Sequence, residues 1–233
     1  MNRIGKISAI NEAAAPVQWA QERARLIGAR LRKVSMDAAA PSTGLLILNA
    51  NGAGLFSSAL LGWRNTARIR QASGPVLLVQ SKPQRAYRRV LIATDFSEAS
   101  LAAAKAAIAI TPAAEVVVAH VFQLAESGLM LEQGLASKIV RSYRQKAREV
   151  AKQKLDEFVQ ALDMPVRPGR AVLYGTPQRI VPHYAANIGA DLVVLGRRRR
   201  SLVGSLFAPG LRRCLAPLKL DILLCAADER GQA

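Results

Sequence analysis

The chain has 233 residues, 51% hydrophobic and 21% charged, which is enough apolar material for a core and excludes wholesale disorder. No apolar run reaches the roughly 18 residues that cross a bilayer, and two cysteines without an export signal argue against a disulfide framework. Lys and Arg number 33 against 16 Asp and Glu, a net charge of +17, so phosphate-rich ligands of any kind are attracted without one being chosen.

In chain order, Arg3 to Ala9 reads as a strand. Arg3 and Lys6 are followed by Asn11 and Glu12 before any stretch of signal-peptide length, so the expected compartment is the cytoplasm, with no membrane association. A helix through Trp19, Arg23 and Leu31 follows, then a bridge over Lys33–Thr43. Leu45 to Asn49 and Val76 to Val79 are short apolar strands that flank a segment carrying Gly52 and Gly62, and residues 80–88 read as a linker.

The second half alternates more fully. Arg89 to Thr94 is a buried strand, and Asp95-Phe-Ser-Glu98 is a turn in which Ser97 caps a helix over 98–111. Glu115 to Phe122 is a strand. A long helix over 131–162 is amphipathic through Ile139, Tyr143, Ala147, Val150, Leu155 and Phe158. Arg170–Tyr174 is a strand ending at Gly175-Thr-Pro177, then come a helix over 177–188, a strand at Asp191–Leu195, a helix over 204–216 and a strand at Leu220–Ala226. Such alternation calls for a parallel sheet covered on both faces, with ligands at the carboxyl ends of the strands. Asp95 and Gly196 stand at such ends.

The first half repeats parts of the second. Leu45–Gly52 and its following strand have a counterpart 147 residues later, beginning at Leu192. The Arg3–Leu31 segment parallels 89–110 at an offset of 86. The first copy therefore reads as shortened, keeping β-α, the bridge and β-α-β: one unit over 1–80 and a complete one over 87–227. Its last strand is expected beside the last strand of the second copy, which gives an intramolecular pseudo-dimer and leaves a homo-oligomer open.

Few residues read as catalytic. Ser97-Glu98 is better explained as a helix cap than as nucleophile and base, and no His/Cys cluster has metal-ligand spacing. His120 and His183 read as packed core residues, and Cys225 as a small buried hydrophobe. From Gly196 to Lys219 there are seven basic residues and no acid.

The set Val90-Leu-Ile-Ala-Thr-Asp95-Phe-Ser97-Glu98, His120-Val121, Gly175-Thr-Pro177-Gln-Arg-Ile180 and Ala190-Asp-Leu-Val-Val-Leu-Gly196 resembles the universal stress protein family. The resemblance implies an α/β fold of Rossmann-like type with a five-stranded parallel sheet in the order 3-2-1-4-5. It implies a stress-response regulatory role by binding rather than turnover, weak ATP hydrolysis apart, with ATP as the ligand of those members that bind one. The nucleotide-binding candidates it carries over are Ala93, Thr94 and Asp95, Val121 beside the base, and Gly196, Arg197, Arg199 and Gly210 near the phosphates.

The family's Gly-x-x-Gly, nine residues, Gly-Ser/Thr signature is broken here. Arg199 and Pro209 replace glycines and Gly210 replaces the hydroxyl residue, so a side chain intrudes and a backbone donor is lost. In the first copy Asn49 replaces the first glycine, Trp63 replaces the hydroxyl residue, Ala9 fills the Asp position and the strand beside the base reads as deleted. The resemblance thus implies weak or lost nucleotide binding. The alternatives are ATP binding through Asp95 and the Arg197–Arg200 loop, or nucleic-acid association through the basic surface.

Overall fold

Apolar runs without alternation become strands buried on both faces, and this chain's are short and dense. The computed structural model describes residues 7–10, 17–28, 31–34, 44–49, 72, 74–80, 82–123, 137–197 and 220–226. The elements are β1 (Ile7–Ile10), α1 (Val17–Leu26), β2 (Leu31–Val34), β3 (Leu46–Asn49), β4 (Val76–Val79) and β5 (Arg89–Thr94). They continue with α2 (Glu98–Ile110), β6 (Glu115–Phe122), α3 (Ser137–Gln160), β7 (Gly169–Tyr174), α4 (Pro177–Asn187), β8 (Leu192–Arg197) and β9 (Asp221–Ala226).

All nine strands join one sheet in the order β2-β1-β3-β4-β9-β8-β5-β6-β7. Every ladder is parallel except β4 on β9, which is antiparallel, with Val76, Leu77 and Leu78 opposite Leu224, Leu223 and Ile222. The expected five-stranded sheet is therefore part of a larger one. The adjacency proposed for the two last strands is present, and both strands are fully buried there.

Three sequence expectations need correction. The helix read through Leu31 ends at Leu26, and Leu31–Val34, reaching into the bridge read over Lys33–Thr43, is a strand, β2, paired in parallel with β1. Its sequence Leu-Arg-Lys-Val lacks an apolar run, and as an edge strand it tolerates charge. The linker at 80–88 is packed rather than loose, since Gln80, Pro83 and Tyr87 are buried. On α3 the buried face runs through Val140, Ala151, Leu155 and Phe158, while Ile139, Tyr143 and Val150 are exposed. Those three lie on a separate stripe some 100° round the helix, which a simple apolar count merges with the first. The segments 131–136 and 204–216, read as helical, lie outside the described residues.

Helices α1, α2 and α3 cover one sheet face, contributing Ala24, Ala103, Ala107, Leu155 and Phe158 to its core. Helix α4 covers the other with Val181 and Ala185. Among the described residues no helix is long and apolar enough to cross a membrane.

One buried polar cluster spans the β4–β9 seam. Asp221, at the start of β9, is 1% exposed. Its Oδ2 accepts from Arg23 Nη2 of α1 at 2.8 Å and from Tyr87 Oη at 2.7 Å, and its Oδ1 accepts from Gln80 N at 2.9 Å. The Arg23 guanidinium lies 4.0 Å over the Tyr87 ring and donates to Arg85 O at 3.0 Å. Burial pushes the Asp221 carboxyl above its usual range against the pull of Arg23 and its hydrogen bonds, and burial with the Asp221 charge pushes the Tyr87 phenol up.

Removing one partner strands the other. Arg23→Met should destabilise the protein by about 3–5 kcal/mol, and Arg23→Met with Asp221→Leu by less, because a buried unpaired charge costs more than an apolar replacement of the pair. Urea unfolding of both variants checks this, and a double variant weaker than the single would refute it.

Candidate functional site

The strand order reverses at β5, whose neighbours β6 and β8 are reached by crossovers on opposite faces. A crevice at the carboxyl ends of β5 and β8 is where an open α/β sheet receives a ligand. The ladders place Ala93 between Leu195 of β8 and Ala119 of β6, and Thr94 opposite His120.

Ala93 and Val121 are buried on the α4 side of the sheet, in one cluster with Leu195. Asp95 follows at the rim and is exposed. Its Oδ1 accepts from Ser97 N at 3.1 Å and from Ser97 Oγ at 2.5 Å. Ser97 Oγ in turn accepts from Ser100 N at 3.2 Å, so Ser97 caps α2 as the sequence indicates. One acid and one hydroxyl thus build the turn that starts the helix.

Thr94 is equally committed. Phe96 N donates to Thr94 Oγ1 at 2.9 Å, and Ser100 Oγ donates to Ser97 O at 2.8 Å. Each hydroxyl has one proton, so the 2.8 Å contact between Thr94 Oγ1 and Ser100 Oγ must use the threonine's. The buried Thr94 hydroxyl therefore gives its proton to Ser100 and accepts from Phe96 N.

Gly196 has a different task from the one its motif suggests. A Cβ built there would stand 2.4 Å from Ser100 N, 2.7 Å from Ser100 Cα and 2.8 Å from Ala99 C. The missing side chain lets the first turn of α2 lie directly against β8. Across the sheet rim, Gly175 has φ +136°, which only glycine adopts without strain, and it turns β7 into α4. Arg197 is the last residue of β8, opposite Ala226. Arg199, Pro209 and Gly210 lie outside the described residues, as do Gly52, Gly62 and Trp63 of the first half.

Two residues beside Asp95 escaped the sequence reading of the site. Phe96 has φ +63°, unusual for a non-glycine residue, and nothing in an Asp-Phe-Ser string signals it. Its ring stacks on His120 at 4.2 Å and meets Phe158 of α3 edge-on at 6.2 Å. His120 is half-buried with Nδ1 2.8 Å from Thr94 O. Burial lowers its pKa below the ordinary 6.5, opposed by Thr94 and Asp95. The unfolded chain then takes up the proton first, so His120 favours folding above pH 6.5 and that contribution is lost on acidification. His183 by contrast is exposed on α4, 3.3 Å from Asn187 Nδ2, which corrects its reading as a core residue.

The model of the universal stress protein family matches residues 86–216. No match is found among curated proteins. A putative universal stress protein from Pseudomonas aeruginosa UCBPP-PA14 is similar in structure with a TM-score of 0.54 and 16% identity, over 95% of this chain and 82% of its own. A functionally unknown protein from Pseudomonas aeruginosa PAO1 gives 0.53 and 16% over the same shares, 95% and 82%. A universal stress protein in complex with cAMP gives 0.41 and 21% over 61% of this chain and 98% of its own. For the two Pseudomonas proteins, at 16% identity, the likeness is one of fold.

The tight approach at Gly196 gives a direct test. Gly196→Ala drives a Cβ into backbone rather than into a movable side chain, and should destabilise by about 1–3 kcal/mol. Thermal unfolding beside the wild type measures it, and an unchanged midpoint would show that α2 is free to shift.

Proposed function

The chain belongs to the universal stress protein family, and from that membership we propose that it is a stress-response binding protein with weak or lost adenine-nucleotide binding, acting by association rather than turnover. The family match over 86–216 carries the stress-response reading. The reading of weak affinity rests on the crevice: Asp95 is tied to Ser97, Thr94 is spent on Ser100, and the open face of Gly196 is filled by α2. In this reading a nucleotide base would lie beside Ala93, Thr94, Asp95 and Val121, with Gly196, Arg197, Arg199 and Gly210 on the phosphate side. A second reading, competent ATP binding through Asp95 and Arg197–Arg200, is favoured by the exposure of Asp95 at the rim.

The proposal includes a tandem organisation, with a shortened unit over 1–80 and a full one over 87–227 packed as a pseudo-dimer. The strand order supports it. The order β2-β1-β3-β4 repeats β6-β5-β8-β9, and among the described residues no strand corresponds to β7. The strand expected to be deleted beside β1 is thus kept as β2. The register also moves one equivalence. Ala9 pairs with Ile47, whose counterpart 147 residues on, Val194, pairs with Ile92. Ala9 then corresponds to Ile92, and the counterpart of Asp95 is Glu12, outside the described residues, rather than Ala9.

Residues 1–85 expressed alone should be unfolded or aggregated, because β4 would lose its partner edge and Arg23 its carboxylate. A cooperative thermal transition from that fragment would refute the dependence.

Calorimetric titration with ATP tests the binding reading. Wild type should bind weakly and with steep salt dependence. Arg199→Gly with Pro209→Gly and Gly210→Ser should tighten binding about tenfold or more by restoring backbone donors. Tight binding by the wild type that still falls steeply with salt would favour the second reading.

A further inference from the structure

Between α3 and the edge strand β7 lies a groove with a cavity of about 320 Å³, lined by Arg148, Lys152, Leu155, Asp156, Arg170 and Val172. It lies on the outer flank of the sheet, two strands from β5 and so about 10 Å from the crevice strands. Its charge is lopsided, with three cations and one carboxylate. Arg148 and Lys152 are one helical turn apart on the same face of α3, and Arg170 faces them from β7.

The acids nearby leave cationic capacity over. Asp156 pairs with Arg170, and Glu149 pairs with Lys152 at 2.9 Å from the outer side. Arg148 has no carboxylate partner among the described residues. The floor is apolar, with Leu155 2% exposed and Val172 half-buried. The surplus charge, chiefly that of Arg148, over a low-dielectric floor is focused into the groove more strongly than it would be on a flat surface.

We propose that this groove is a binding site for the phosphate chain of a small di- or triphosphate, held between Arg148 and Lys152 on the helix and Arg170 on the strand. Guanidinium forks converging from two walls match successive phosphoryl groups, and the cavity is larger than one phosphate needs. A nucleic-acid strand is disfavoured because the neighbouring aromatic ring is occupied. Tyr174 has Arg144 4.0 Å over one face and Phe122 at its edge, so the ring is already engaged where a base would compete. The site is independent of the crevice at β5 and β8.

The probe is tripolyphosphate, titrated calorimetrically into the full chain at about 50 mM and about 150 mM salt. Wild type should take up one equivalent, more tightly at the lower salt. Arg148→Gln with Lys152→Gln should weaken binding about tenfold, the effect of two charge-assisted contacts discounted for exposure. Both side chains are exposed, so the fold should persist by circular dichroism. Lys82→Gln with Lys105→Gln removes the same charge from exposed positions elsewhere and should change affinity less than about twofold.

Equal losses in the two double variants would reduce the site to general basic surface and overturn the proposal. So would the absence of saturable binding at either salt. Loss of binding in Arg199→Gln, with none in the groove variant, would move the phosphate chain to the crevice. Tighter binding of a single-stranded oligonucleotide, with the same sensitivity to the groove variant, would make the ligand nucleic acid rather than a small molecule.

Discussion

The antiparallel ladder between β4 and β9 is the contact on which the architecture turns. Without it the nine short strands would make two parallel sheets of four and five strands, each with an open apolar edge. Pairing Val76–Leu78 with Ile222–Leu224 removes both edges at once and lets helices α1, α2 and α3 share one continuous face. The ladder is short and apolar, so little in it fixes position along the strands. Asp221 supplies that. Its hydrogen bonds to the Gln80 backbone and the Tyr87 hydroxyl, with the Arg23 ion pair, tie the exit of β4, the segment before β5 and helix α1 to the first residue of β9.

Much of this fold was legible because parallel strands are written as unbroken apolar runs. Arg89–Thr94, Glu115–Phe122 and the strand at Leu192 needed only their β-branched and leucine content to be found. What escaped was decided by partners rather than by local sequence. Leu31–Val34 is a strand because β1 lies beside it, not because its composition asks for one. The stretch 80–88 looks like a linker in its Lys, Pro and Gln content, yet Tyr87 is buried by an aspartate 134 residues away. On α3 the apolar count was right and the face wrong, because only the sheet decides which of two stripes turns inward.

The crevice shows the same division. The sequence placed Asp95 and Gly196 just past strand ends; Asp95 stands there, while Gly196 is the last residue but one of β8. It could not tell which of their atoms would be taken by the protein itself. Ser97 accounts for the Asp95 oxygen and α2 for the space above Gly196, while Phe96 and His120 form a stacked pair beside the crevice through a backbone conformation the string does not announce. A residue type at the right place is therefore weaker evidence for a ligand than an unoccupied donor or an empty approach.

The seam has a consequence for dilution. An interface of this kind between separate chains is governed by mass action and loosens as concentration falls. Here β4 and β9 belong to one polypeptide, so each edge meets the other at an effective concentration set by the connecting chain, on the order of millimolar for short connections. The nine-stranded sheet therefore holds together at any abundance of the protein, with no threshold below which its two edges come apart.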